Sequence, residues 1–205
     1  IYIMNVDNAN NHSSFDPKQA PIKQSNLCCE INLPTNPLDD IADETGEISL
    51  CTLSAINWGA FKTPQEMQKT CEIAVRSLDA LLDYQNYPVK AAEISTMNRR
   101  PLGVGIINFA YFLAKNGVKY DESAFELVDE WAQHWSYYLI KASVDLAKER
   151  GKIPLTNQTK YDIGVLPVDT YKKDVDDLIP HVDKVETLHS AQTLHSQRCA
   201  PLASS

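Results

Sequence analysis

Gln24-Ser25-Asn26-Leu27-Cys28-Cys29-Glu30-Ile31 is the stretch on which the reading of this chain turns. In an extended conformation successive side chains alternate faces at ~3.3 Å per residue, so Asn26, Cys28 and Glu30 share one face at ~6.6 Å spacing while Cys29 points away. That face carries an amide that donates and accepts hydrogen bonds, a thiol that reacts by one or two electrons, and a carboxylate that takes a proton. Spacing alone favours the plainer reading, a strand with a buried cysteine and a solvated glutamate, because free cysteine is among the most buried residue types.

Working outward, Ile1 to Val6 alternates as a strand, and Asp7 to Pro21 reads as a polar loop. Leu33-Pro34-Thr35-Asn36-Pro37 breaks regular structure, and Glu47 to Leu53 is expected as a second strand. Beyond residue 60 the periodicity turns helical. Thr63-Pro64-Gln65-Glu66 has the form of a capping box opening a helix to about Tyr84, with Met67, Cys71, Ala74, Val75, Leu78, Leu81 and Leu82 on its apolar stripe. Cys71 is read as a core residue.

Pro88 and a turn at Pro101-Leu102-Gly103 bracket a connection, and Val104 to Lys115 reads as a buried helix stopped at Asn116-Gly117. Gly103 and Gly105 lack the third glycine of a dinucleotide fingerprint, so a tight turn or close packing explains them. Ser123 to Gly151 is expected as a long helix with Phe125, Val128, Trp131, Trp135, Leu139, Ala142 and Leu146 on one stripe. Its aromatics fit core packing better than a stacking surface.

The 205 residues, 43% of them hydrophobic and 22% charged, suffice for one sizeable globular domain. Nineteen basic against 27 acidic residues give a formal charge of −8, and the basic runs do not exceed the pairs Arg99-Arg100 and Lys172-Lys173. Nonspecific binding to nucleic acid or to an anionic membrane is disfavoured. The longest apolar stretch falls short of the ~18 to 20 residues that span a bilayer. Five cysteines without a secretory leader argue against a disulfide framework and for a cytoplasmic setting, and none shows zinc-type spacing with the five histidines, so no metal site is expected. Because the chain begins at Ile1 inside apparent structure and stops at Ser205 without a closing element, a fragment of a longer protein is expected.

Several blocks in order carry more than periodicity. Gln24-Ser25-Asn26-Leu27-Cys28-x-Glu30-Ile31, Gly46-Glu47-Ile48-Ser49-Leu50-Cys51-Thr52-Leu53-Ser54-Ala55, Leu78 to Tyr84, Arg99 to Ala110, and Leu166 to Lys173 strongly resemble the catalytic core of the class I ribonucleotide reductase large subunit. The similarity covers roughly residues 1 to 178. It implies an α/β fold, part of a ten-stranded α/β barrel with a central finger loop and outer helices. Residues 1–180 would form the partial barrel, with the finger at about 21–34 and the helical layer at about 63–151, and residues 181–205 a divergent tail.

The resemblance also implies roles. Cys28 matches the thiyl-radical cysteine that takes the hydrogen atom from the ribose 3′ carbon, and Glu30 the base that accepts the 3′-hydroxyl proton. Asn26 matches the amide that binds substrate and helps position that glutamate. Cys51 matches one of two cysteines that reduce the substrate radical, its partner lying outside the chain. The implied substrate is a nucleoside diphosphate. Implied partners are the remaining large-subunit segments, a metal-containing small subunit that supplies the radical, and thioredoxin or glutaredoxin. ATP and deoxynucleotide effectors would bind elsewhere in the full subunit, with no cofactor on this chain.

Cys29 stands where the family commonly has an apolar residue or threonine, and is read as a packing substitution. Pro201 to Ser205 only faintly echoes the family's phosphate loop, and contact of Ser204 or Ser205 with phosphate is left open. Two other readings compete: a thiol hydrolase with Cys28 as nucleophile and His12 as base, and a non-catalytic helical interaction module over residues 63–151.

Overall fold

The computed structural model describes residues 3–167, residue 169 and the backbone of 200–202. Its centre is a parallel sheet in which β1 (Thr52–Asn57), β2 (Pro101–Ile107) and β3 (Ala200–Leu202) lie in that order. Thr52 to Asn57 pair in register with Leu102 to Ile107, and Pro101 to Gly103 pair with Ala200 to Leu202. Parallel neighbours need a crossover, and α2 (Met67–Tyr84) and α3 (Lys90–Arg99) supply it between β1 and β2. After β2 come α4 (Phe109–Lys115) and α5 (Phe125–Arg150), the latter packed along α2.

The core forms where the sheet meets these helices. Met67, Cys71 and Val75 of α2 are fully buried, as their spacing predicts, against Ile56, Leu102 and Val104 of the strands and Trp131, Trp135 and Leu139 of α5. Trp58, wholly buried just after β1, meets Phe112 edge-on at 5.4 Å between ring centroids, and Phe112 meets Trp131 at 4.6 Å. The aromatic stripe of α5 is thus core, although its first residue, Phe125, is exposed.

Five expectations are corrected. The apolar run from Val104 is not one helix: residues 101–107 form the central strand β2, and only Phe109–Lys115 is helical. A parallel strand buried on both faces reads as a continuous apolar run, which periodicity does not separate from a buried helix. Asn108, left-handed at φ 62, divides the two, and Gly103 lies inside β2 rather than in a turn. A Cβ there would stand 3.0 Å from Cys51 Sγ and closer still to the Leu53 side chain, so Gly103 makes room for the residues opposite it.

At the amino end, Ile3 to Asn5 are irregular and Val6–His12 form a helix, α1, where a strand and a loop were expected. Asn5 caps it by accepting a hydrogen bond from Asn8 N–H at 3.1 Å. The strand expected over Glu47–Leu53 begins only at Thr52. Glu47 instead makes an isolated antiparallel bridge with Asn36. Helix α3 occupies a stretch read as a simple connection.

Helix ends follow their signals more closely. Gly117 and Gly151 adopt positive φ at 71° and 88° where the stops were expected. The capping box at Thr63 does not form: the Thr63 side chain makes no cap, and Glu66 accepts at 2.8 Å from the N–H of Lys62, one residue before the cap. The 120s helix is capped one residue-pair earlier than expected, by Asp121, whose carboxylate accepts from Ser123 N–H at 3.0 Å. Most of the tail expected to diverge from residue 181, including Ser204 and Ser205, lies outside the described residues, as do Thr170 to Lys173 of the last motif block; within that tail, Ala200–Leu202 is a strand.

Candidate active site at the finger loop

The finger is a tight turn, not an extended run. Cys29 N–H donates to Asn26 O at 3.1 Å across Leu27 and Cys28, and Asn26 N–H donates to Ile31 O at 3.3 Å. Cys29 sits left-handed at φ 64, as the residue closing such a turn does. The alternation argument therefore fails. Asn26 and Glu30 are brought together by a reversal of the chain that has Cys28 at its tip, and Cys29 is exposed rather than packed.

Asn26 organises this turn with its side chain. Its Oδ1 accepts from Ile31 N–H at 3.0 Å, which directs its Nδ2 to Glu30 Oε1 at 2.5 Å. An amide held at one end by the backbone presents its N–H to the carboxylate in a single orientation. Between these two residues, Leu27 and Cys28 form the tip, and both are exposed.

The base of the finger is apolar. Phe15, Ala20 and Leu33 are buried together, with Ile31 and Cys51 packed against them. Cys51 reaches this cluster one residue before β1 begins. Burial pushes its thiol up to about 11, and the nearby charge of Glu30 pushes in the same direction. At neutral pH Cys51 is a protonated thiol, able to give a proton together with electrons.

Beside Asn26 opens a cavity of about 520 Å³, walled by Lys23 and Ser25 on the finger side and by Thr35, Asn36, Glu47 and Ser49 on the other. The far wall is anchored from α3. Ile48 N–H donates to Ala91 O at 3.2 Å, and the Glu47 carboxylate is ion-paired with buried Arg99, which also donates to Gln158 Oε1 at 3.0 Å. The next residue, Arg100, is left-handed at φ 44 and turns into the helical layer. There it donates to Asp79 and Asp83 at 2.7 Å each, and Arg150 adds a bond to Asp79 at 3.0 Å. Burial opposes the Arg100 charge, and the bonds to Asp83 and Asp79 overcome it and raise its pKa.

Sequence reasoning missed Glu47, Ser49 and Arg99 as parts of this wall. Glu47 and Ser49 lie in one resemblance block and Arg99 in another, but periodicity does not bring the two blocks together.

A thiol hydrolase needs a histidine beside Cys28, and neither histidine among the described residues is shown there. His12 ends α1 and lines a small separate cleft with Lys160, Tyr161 and Leu166, while His134 on α5 faces Gln65. Among the described residues no cluster of His, Cys, Asp and Glu is arranged to hold a metal ion, and no helix is long and apolar enough to cross a membrane.

Comparison with known proteins gives a consistent answer. A family model for the ribonucleotide reductase barrel domain matches residues 1–200. The ribonucleoside-diphosphate reductase subunit alpha of Haemophilus influenzae is 58% identical over 179 residues, 87% of this chain and 24% of that protein. The subunit 1 alpha of Salmonella typhimurium is 54% identical over 207 aligned positions, 99% of this chain and 27% of that protein. The subunit alpha of Enterobacteria phage T4 is 45% identical over 180 residues, 87% of this chain and 23% of that protein. The chain spans about a quarter of the length of these relatives.

Proposed function

Because this chain belongs to the ribonucleotide reductase barrel-domain family, we propose that it is the finger-loop portion of a ribonucleoside-diphosphate reductase catalytic core. It contributes to radical reduction of ribonucleoside diphosphates to deoxyribonucleoside diphosphates for DNA synthesis. The observation that carries this reading is the Asn26–Glu30 contact of 2.5 Å, formed by a turn whose tip is Cys28.

In this reading the Cys28 thiyl radical takes the 3′ hydrogen atom of the ribose, and Glu30 accepts the 3′-hydroxyl proton. Asn26, its oxygen tied to the backbone, both orients Glu30 and offers an N–H to the substrate. The 2′-hydroxyl then leaves as water. Cys51 and a second cysteine outside the chain give two electrons and two protons and become a disulfide, which thioredoxin or glutaredoxin reduces again. The thiol form of Cys51, favoured by its burial, suits that donor role.

The three parallel strands with helices α2 and α5 against them are consistent with one part of a ten-stranded barrel whose finger rises at the centre. Such an interior keeps a radical from side reactions. Completion requires the remaining segments of the large subunit and a metal-containing small subunit as the radical source. ATP and deoxynucleotide effectors bind elsewhere, and the cytoplasm is the setting in which the thiols stay reduced. Alone, the chain is expected to be inactive.

Reconstitution tests this directly. The chain is combined with the missing large-subunit segments and the small subunit, and deoxynucleotide formation is measured. Wild type is expected to turn over, Cys28→Ser to give none, and Cys51→Ser to fail to complete a reductive cycle. Full turnover by Cys28→Ser would overturn the assignment.

A further inference from the structure

Nothing in the proposed chemistry uses Cys29, yet the turn places it beside Cys28 with both thiols free and exposed. In an extended strand the two side chains would diverge to opposite faces. Here Cys29 is left-handed at φ 64, a conformation uncommon for a residue other than glycine, and its Sγ lies 3.9 Å from Leu27 O, folded back over the tip. Two soft donors on adjacent residues, both free and exposed, thus share one turn.

Direct joining of the two sulfurs is disfavoured. Adjacent Cα atoms are ~3.8 Å apart across a trans peptide, short of the roughly 4.4–6.8 Å that an unstrained disulfide spans. A third atom bridging the sulfurs enlarges the ring and relieves that constraint, and thiolates prefer soft, thiophilic centres.

We propose that Cys28 and Cys29 form a vicinal-dithiol site that chelates trivalent arsenicals. With an organoarsenic oxide such as phenylarsine oxide, two As–S bonds form and the As–O bond breaks. The oxygen leaves as water with the two thiol protons. Arsenic remains trivalent, and no oxidant or reductant is consumed. Chelation ties up Cys28, so in a reconstituted reductase it blocks turnover. Only that consequence rests on the proposed function; the binding itself does not.

The test uses the full reduced chain with phenylarsine oxide, followed by an excess of 2-mercaptoethanol, and reads intact mass, free thiols and the modified peptide. Wild type is expected to keep one arsenical per chain, lose two thiols, and map the adduct to residues 24–31. The second As–S bond closes intramolecularly, so Cys29→Ser and Cys28→Ser should each retain the arsenical at least about a hundredfold less well. Cys29→Asn, which tolerates the left-handed turn, should behave like Cys29→Ser, excluding a folding artefact. Cys51→Ser should retain it like wild type. Retention by Cys29→Asn equal to wild type, or an adduct joining Cys28 to Cys51, overturns the site. A chain that chelates arsenic while its reconstituted Cys28→Ser form keeps full turnover would overturn the functional reading and leave the site standing.

Discussion

Cys51 is the residue whose environment most constrains the chemistry. Its folded pKa of about 11 lies above the ordinary 9.0, so the fold favours the neutral thiol. The stability this contributes is fully present below about pH 9 and is lost as pH rises through about 11. Alkylation of Cys51 by iodoacetamide is accordingly expected to keep accelerating from pH 9 to about 11, measured by peptide mass spectrometry in a Cys28→Ser, Cys29→Ser background; a plateau by pH 9 would contradict the burial. The thiol, amide and carboxylate types were all legible in the sequence, since their chemistry follows from their identity. The turn was not, because it depends on one left-handed residue, Cys29, whose side chain does not announce φ 64 as a glycine or asparagine would.

At the scale of elements, the junction between α3 and β2 matters most. Arg99 and Arg100, adjacent in sequence, serve two separate ion-pair sets, one holding the cavity wall through Glu47 and one holding α2 through Asp79 and Asp83. Arg100→Ala leaves Asp79, fully buried, with Arg150 as a half-exposed partner. Loss of about 3–5 kcal/mol is expected from removing one side of a buried pair, read as a lower midpoint in urea unfolding; an unchanged midpoint would show that the pair does not anchor the helix. The helices α2 and α5 were visible in advance because their apolar period of three and four has no competing explanation. Strand β2 was hidden because burial on both faces erases alternation, and α3 because Ala91, Ala92, Ser95 and Thr96, its buried face, are small residues that carry little apolar signal.

At the scale of the molecule, the finger is tied to the rest by contacts between distant parts of the chain. Phe15 bridges Thr159, Asp16 N–H donates to Gln158 O at 2.8 Å, and Lys160 N–H donates to Ser14 O at 2.8 Å. The same residues 14–20 roof the apolar cluster beneath Ile31 and Cys51. That clasp carries a kinetic consequence. Joining residues near 15 to residues near 159 closes a very long loop, whose entropy must be met before its few contacts return anything. The helices and the β1–β2 pair enclose shorter loops and bury far more apolar surface. They are expected to gain amide protection first during refolding, with the amides of Asp16 and Lys160 protected last, as pulsed hydrogen exchange would resolve; early protection of those two would reverse the order. On that order the chain assembles its scaffold before its finger turn, so under the proposed function the Cys28 thiol would be docked onto a surface that has already formed.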